Sequence, residues 1–196
     1  MKSIALGLLA ALTLATPLLA GKFNKVINLG VAMPSFEKLE GIDGKKYSLS
    51  DFKKDVVVVA ITCNHCSVAT AYEDRMIEFA KKYADKVDFV AVNVTIGDED
   101  GMPQMKERAG EKQFPYPYLA DKSQKLGKAL GAIATPEFFV LNKERKIVYM
   151  GVFDNNQKLA KVTKRYLEDA VGSVLIGDSP EIAETRPFGC TIEYKQ

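Results

Sequence analysis

The sequence predicts an α/β sandwich with a mixed central sheet, and three patterns carry that prediction. Two continuous apolar segments rich in valine, residues 56–61 and 87–94, are typical of strands buried on both faces of a parallel sheet. Between them, residues 66–84 place apolar side chains at helical spacing. A strand–turn–strand pattern over residues 137–152 predicts a hairpin. Strand, helix, strand and then a hairpin indicate helices packed on a mixed sheet.

Smaller elements surround this unit. A turn at residues 41–44 joins two edge strands into an N-terminal hairpin. Short helices are predicted after the acidic segment 97–101 and within residues 123–132. A last amphipathic helix is predicted over residues 158–175, and a tail over residues 176–196 follows it.

Residues 1–20 have the pattern of a secretory signal. Lys2 precedes an apolar run over residues 4–15, and the small residue Ala20 provides a cleavage site. The run is shorter than the roughly 20 apolar residues that a membrane span needs, and Pro17 follows it closely. The sequence therefore predicts a cleaved signal peptide and an exported, periplasmic or otherwise secreted, protein.

Residues 21–196 are then predicted to form a single domain. The full chain has 27 basic and 25 acidic residues, a balance that provides no basic surface for nucleic acid or an anionic membrane. We expect no nucleic-acid partner and no stable membrane anchor after cleavage. Three cysteines are too few for a disulfide scaffold, and the odd number leaves at least one thiol free or paired with another molecule.

Two of the cysteines directly follow the first predicted buried strand, in the motif Cys63-Asn64-His65-Cys66. If a helix begins near Cys63, its free backbone N–H groups and the positive end of its dipole stabilise the Cys63 thiolate. A protonated His65 lowers the thiol pKa further, below the free-cysteine value of about 8.5. Cys66 lies one turn later and can close a disulfide. The motif predicts a redox pair with Cys63 as nucleophile, Cys66 as resolving thiol and His65 as the residue that tunes the pKa.

Other interpretations of the motif stay open. Cys63, His65 and Cys66 could ligate copper(I), whereas a closed zinc site needs four ligands. Covalent haem attachment requires a histidine after the second cysteine, where Ser67 stands. We expect no metal and no other cofactor.

The third cysteine, Cys190, follows Gly189 in the tail. It is a candidate third redox thiol that reaches the active site, or a thiol that bonds to another molecule. A Cys66–Cys190 disulfide that merely fixes the tail, or another inert disulfide, is the structural alternative.

Three segments resemble the thioredoxin-like proteins, and within them the redoxin branch of peroxiredoxins and membrane-tethered thiol reductases. They are "GVAMPSFEKLEGIDGKKYSLSDFK", the motif "CNHC", and "GAIATPEFFVLNKERKIVYMG". The resemblance implies a thioredoxin-like three-layer sandwich with a central mixed β-sheet and an N-terminal β-hairpin extension. It also implies a cis-proline at Thr135-Pro136, where the backbone before the proline pairs with an extended substrate.

Together with the signal pattern and the CNHC motif, the sequence predicts an exported thiol–disulfide oxidoreductase that exchanges disulfides with a protein or small-molecule substrate and with a redox partner. The peroxiredoxin pattern P-x-x-x-T-x-x-C is absent before Cys63, although Thr62 keeps a thiol peroxidase as an alternative. The chain has no tryptophan, which thioredoxins place before the motif. Because a histidine precedes Cys66, we expect a reduction potential less negative than the thioredoxin value of about −270 mV.

Overall fold

The structure, a computed structural model, describes residues 21–195. The predicted signal peptide at residues 1–20 lies outside the described residues. Within the part that is described, no helix has both the length and the apolar character needed to cross a bilayer.

The main sheet has seven strands and is mixed, as the sequence predicts. Its strands stand in the order β2-β1-β5-β4-β3-β7-β8. They are β1 Leu39–Gly41, β2 Lys46–Tyr47, β3 Val56–Thr62, β4 Val87–Asn93, β5 Tyr118–Ala120, β7 Glu137–Leu141 and β8 Ile147–Gly151. The central strand β3 is parallel to β4 and antiparallel to β7. A second, two-stranded sheet pairs β6, Ala134–Thr135, with β9, Cys190–Thr191.

Among the residues that the structure describes, four α-helices cover the two faces of the main sheet. They are α1 Ser67–Lys82, α2 Met102–Lys112, α3 Lys125–Leu130 and α4 Tyr166–Leu175. Every residue of β3 is buried, because its alternate side chains belong to two different cores. Val56, Val58 and Ala60 pack in the core beneath α1 and α4, whereas Val57 and Val59 pack in the core with α3 and the N-terminal segment. This two-sided burial explains the continuous apolar run.

The first helix starts at Ser67, in agreement with the helical spacing over residues 66–84. Cys66 is its N-cap residue, whose Sγ accepts a hydrogen bond from the N–H of Ala69 at 3.4 Å. The condition set for stabilising the Cys63 thiolate, a helix that begins near Cys63, is therefore not met. The free N–H groups at the helix start lie beside Cys66 instead.

The last helix is shorter than the predicted segment 158–175. Only Tyr166–Leu175 is α-helical, and Leu159, which the periodicity assigned to the core, is exposed. The cause is local, since the Asn155 side-chain oxygen accepts hydrogen bonds from the N–H groups of Thr163 and Lys164. That contact closes a loop in place of helical turns.

The tail returns across the sheet and is held by hydrogen bonds on both sides of β9. On the N-terminal side, the Thr185 hydroxyl accepts a hydrogen bond from the N–H of Val152 at 2.9 Å. On the C-terminal side, Ile192 is buried and its N–H donates to the Ile133 carbonyl at 3.1 Å. No periodic pattern in the sequence identifies these contacts, because each is made by a single residue.

Candidate active site

Cys63 directly follows β3 and is 3% exposed. Its Sγ lies 3.0 Å from the hydroxyl oxygen of Thr135. The end of the central strand therefore holds a buried thiol beside a hydroxyl that can donate a hydrogen bond to it.

Cys66 forms a disulfide with Cys190 across 124 positions of the chain, and Cys63 remains a free thiol. The expected Cys63–Cys66 disulfide is thus not the pairing in this structure. The pairing has a topological cause, because β9 runs antiparallel to β6 and sets Cys190 opposite Thr135. The Thr135 carbonyl oxygen is 3.3 Å from Cys66 Sγ, so this register brings the two sulfurs together. The redox role of Cys190 stays a prediction.

The predicted lowering of the Cys63 pKa is contradicted. Burial raises the pKa of the Cys63 thiol, and the negative charge of Asp100 raises it further. Hydrogen bonds from the Thr135 hydroxyl and the Cys66 N–H oppose this shift without cancelling it. The helix start that was expected to stabilise the thiolate lies at Cys66, one turn beyond Cys63.

A network centred on Asp100 organises the residues between the two cysteines. This carboxylate is 7% exposed, and its Oδ1 accepts hydrogen bonds from the N–H of Asn64 at 2.6 Å and from Asn93 Nδ2 at 3.0 Å. Its Oδ2 lies 2.5 Å from Nδ1 of His65. The Tyr118 hydroxyl donates to Asn64 Oδ1 at 2.8 Å. The side chain of His65 therefore contacts a buried carboxylate, and its tuning role stays a prediction.

Sequence reasoning missed Asp100. It lies in the acidic segment 97–101, which is typical of a solvated loop, and 35 positions separate it from His65. The only sequence signal was an acidic cluster directly before a helix with a proline in its first turn.

The peptide bond between Thr135 and Pro136 is cis, as the resemblance implies. Thr135 contacts both cysteines of the motif, through its hydroxyl and its carbonyl oxygen. Its backbone is paired with β9 of the same chain. The assignment of Thr135 and Pro136 to substrate binding stays a prediction, and their position beside both sulfurs is consistent with it.

A buried carboxyl, also missed by sequence reasoning, follows the cis-proline. Glu137 is 1% exposed and accepts a hydrogen bond from the N–H of Ile133 at 3.1 Å. Burial raises the pKa of Glu137 to about 7. This group titrates near neutral pH at the edge of the site.

The structure brings together a different set of candidate metal ligands from the set that the motif suggests. Cys66 is engaged in the disulfide, so the set Cys63, His65 and Cys66 does not come together in this state. Cys63, His65 and Asp100 instead bring their ligand atoms within 4.8 Å of one another. Three ligands are one fewer than a closed zinc site takes, and a carboxylate is a poor match for copper(I).

The comparison with protein families defines the class. The Redoxin family model matches residues 28–170, which include the CNHC motif, β6 and the cis-proline. The chain therefore belongs to the Redoxin family, and its thioredoxin-like fold and its place among the oxidoreductases are confirmed. The matched segment ends before Cys190, so the tail cysteine is not part of the family match.

Several known proteins are similar to this chain. The structure of an uncharacterized conserved protein from Geobacillus kaustophilus is 30% identical, with a TM-score of 0.79, and the alignment covers 85% of this chain and 92% of that one. A hypothetical protein from Sinorhizobium meliloti 1021 is 31% identical, with a TM-score of 0.80 and coverages of 86% and 96%. Thiol-disulfide oxidoreductase ResA of Bacillus cereus is 27% identical over 131 residues, 65% of this chain and 73% of that relative.

Proposed function

We propose that this protein is an exported thiol–disulfide oxidoreductase in which Cys63 and Cys66 carry out dithiol–disulfide exchange. One observation carries the proposal: a free thiol, Cys63, and a disulfide sulfur, Cys66 Sγ, both contact Thr135 beside the cis-proline. The similarity to a relative named thiol-disulfide oxidoreductase supports the same reaction class.

The first step is an exchange within the chain. Cys63 loses its proton, and its thiolate attacks Sγ of Cys66. A Cys63–Cys66 bond forms, the Cys66–Cys190 bond breaks, and Cys190 leaves as a thiolate that takes up a proton. The step conserves the number of disulfides, so it needs no external oxidant.

The second step transfers the disulfide to a substrate. A substrate thiolate attacks Cys66 of the Cys63–Cys66 disulfide and forms a mixed disulfide with Cys66, the sulfur that Cys190 left, which releases the thiol of Cys63. A second substrate thiol then attacks the mixed disulfide, so the substrate is oxidised and both cysteines are reduced. A partner disulfide then reoxidises the protein. When the protein reduces a substrate disulfide instead, each of these bond changes runs in reverse.

The environment of Cys63 suits a thiol that reacts only when approached by a disulfide. Burial keeps the thiol protonated, because it raises the Cys63 pKa. The Thr135 hydroxyl lies 3.0 Å from the sulfur and can donate a hydrogen bond that stabilises the thiolate once it forms. Export supports the same chemistry, because disulfides persist in oxidising compartments. The signal pattern of residues 1–20 is the basis for the proposal of export.

Turnover of a protein disulfide tests the proposal. With dithiothreitol as reductant and insulin as substrate, we expect Cys63→Ser and Cys66→Ser to fall to the uncatalysed rate. Cys190→Ser serves as the matched Cys→Ser control and should retain turnover, because both exchanging sulfurs remain. Full activity in Cys63→Ser would contradict the proposal.

The peroxidase alternative is not favoured by the site. A peroxidatic cysteine must be held as a thiolate, and both burial and the Asp100 charge raise the pKa of Cys63. We expect wild-type protein to consume hydroperoxide no faster than Cys63→Ser does.

A further inference from the structure

We propose that residues 186–190, here called the strap, occupy the substrate site as a built-in pseudo-substrate. The site itself then takes an extended polypeptide in which a glycine precedes the disulfide cysteine. This inference rests on the proposed function and names its substrate class.

The strap ends in the same bonds that a bound polypeptide substrate would make. Strand β9 pairs antiparallel with β6, with Cys190 opposite Thr135 and Thr191 opposite Ala134. Thr135 is the residue before the cis-proline, and Cys190 is bonded to the motif cysteine Cys66. In an enzyme–polypeptide mixed disulfide, the polypeptide adds a strand to an open backbone edge and bonds its cysteine to the motif. The strap makes both of these contacts.

Gly189 shows what the site accepts before the cysteine. A Cβ atom on Gly189 would collide with the carbonyl oxygen of Thr135 and lie 2.7 Å from its carbonyl carbon and 3.3 Å from the nitrogen of Pro136. These are backbone atoms, so they cannot move aside as the end of a flexible side chain could. A side chain at this position would push the cysteine away from Cys66.

The strap is held at its ends and free of hydrogen bonds between them. Thr185 and Ile192 fix the chain on either side. In the described part of the chain, Arg186, Pro187 and Phe188 make no hydrogen bond, and Phe188 is 59% exposed. Once Cys190 is released, the strap can lift while its anchors stay in place, which frees the Thr135 edge for a substrate strand.

A pair of peptides tests the substrate class. The full-length Cys190→Ser protein, fully reduced, is mixed with the tail peptide RPFGCTIEY or with RPFACTIEY, each carrying its cysteine as a disulfide with thionitrobenzoate. A protein thiolate attacks the peptide sulfur, thionitrobenzoate leaves, and the second protein thiol then releases the reduced peptide. We expect the glycine peptide to react at least about tenfold faster than the alanine peptide. The alanine Cβ would collide with the Thr135 carbonyl and so weaken binding.

The controls separate this inference from the proposed function. Both peptides should react at the same rate with dithiothreitol, which has no binding site. Equal rates with the protein would overturn the substrate class while leaving disulfide exchange intact. Failure of the proposed function would instead appear as an inactive Cys190→Ser protein in the insulin assay.

A matched glycine pair in the otherwise native chain tests the strap itself. Gly189→Ala should make the Cys66–Cys190 disulfide reducible at a glutathione potential less negative than in wild type, because the collision weakens the closed state. Gly110→Ala is the control, since Gly110 is exposed and has no neighbour within 4 Å of an added Cβ. An unchanged potential in Gly189→Ala would overturn the proposed close fit of the strap.

Discussion

At the scale of single residues, the charge balance around Cys63 decides how its thiol behaves. His65, which the motif alone assigns to thiolate stabilisation, lies 2.5 Å from a buried carboxylate. That carboxylate, Asp100, raises the pKa of Cys63. We therefore propose that the His65–Asp100 pair, rather than the histidine alone, tunes the thiol.

Substitution of Asp100 and substitution of His65 should move the Cys63 pKa in opposite directions. Asp100→Asn removes a negative charge and should lower the pKa, whereas His65→Gln leaves the carboxylate without its partner and should raise it. The pH dependence of Cys63 alkylation, measured with the Cys66–Cys190 disulfide intact, reports both shifts. Asp98→Asn, at an exposed neighbour, is the control and should change little. A raised pKa in Asp100→Asn would refute this account of the site.

Glu137 should make the stability depend on pH. Its pKa is about 7 in the folded chain against 4.5 for an unburied glutamate, so the folded state holds a proton that the unfolded state has lost. Its contribution to stability is fully present below about pH 4.5 and is lost as the pH rises to about 7.

Glu137→Gln should remove this pH-dependent loss of stability. Above pH 7 it should raise the free energy of unfolding by at most on the order of 3 kcal/mol. Denaturant unfolding of both proteins across this pH range measures the difference. Glu107→Gln, an exposed substitution in α2, is the control and should follow wild type. Parallel stability curves for Glu137→Gln and wild type would show that the carboxyl is not held protonated.

At the scale of elements, the sequence predicts the middle of each helix or strand better than the residues at which it begins and ends. Strands β3 and β4 and helix α1 follow from periodicity, because each has a long apolar pattern set by burial. The start of α1 and the start of α4 depend instead on single side chains, Cys66 and Asn155, that cap or close the backbone. Such contacts leave no periodic trace in the sequence.

The contact between α1 and the loop after β8 depends on one buried ion pair. Arg75 donates to Asp154 and to the carbonyl oxygens of Asn156 and Gln157, and both charged side chains are buried. Removing the guanidinium leaves the carboxylate buried without a counter-charge.

Arg75→Met should therefore lower the free energy of unfolding by roughly 3–5 kcal/mol. Lys112→Met is the matched control, because the Asp74 side chain that Lys112 contacts is 76% exposed and such pairs contribute about 1 kcal/mol or less. Chemical denaturation of the two variants compares them directly. Equal, small losses would show that the buried pair does not hold the loop on α1.

At the scale of the whole molecule, one covalent bond closes the fold. The Cys66–Cys190 disulfide joins the start of α1 to the tail across 124 positions. Sequence patterns predict the mixed sheet and the reactive motif, but they name this pairing only as an alternative to Cys63–Cys66. Which cysteine meets Cys66 depends on where the tail returns, and that is set by isolated contacts of tail residues, among them Thr185, Ile192 and Tyr194.

This bond should contribute to stability mainly through the unfolded chain. Oxidised wild type should be about 2–5 kcal/mol more stable than Cys190→Ser, because a long loop in the unfolded state is no longer closed. Reduced wild type should match Cys190→Ser within experimental error. Thermal or denaturant unfolding under oxidising and reducing conditions measures both differences, and a Cys190→Ser protein as stable as oxidised wild type would contradict this expectation.

Disulfide mapping of the intact chain tests the central claim most directly. Wild-type protein is poised at a series of glutathione potentials, quenched in acid, alkylated and digested for mass analysis. The account predicts two oxidised forms in exchange, one with Cys66–Cys190 and a free Cys63, the other with Cys63–Cys66 and a free Cys190. If Cys63 stays a free thiol at every potential while Cys66–Cys190 is the only disulfide found, the tail bond is purely structural and the proposed exchange is wrong.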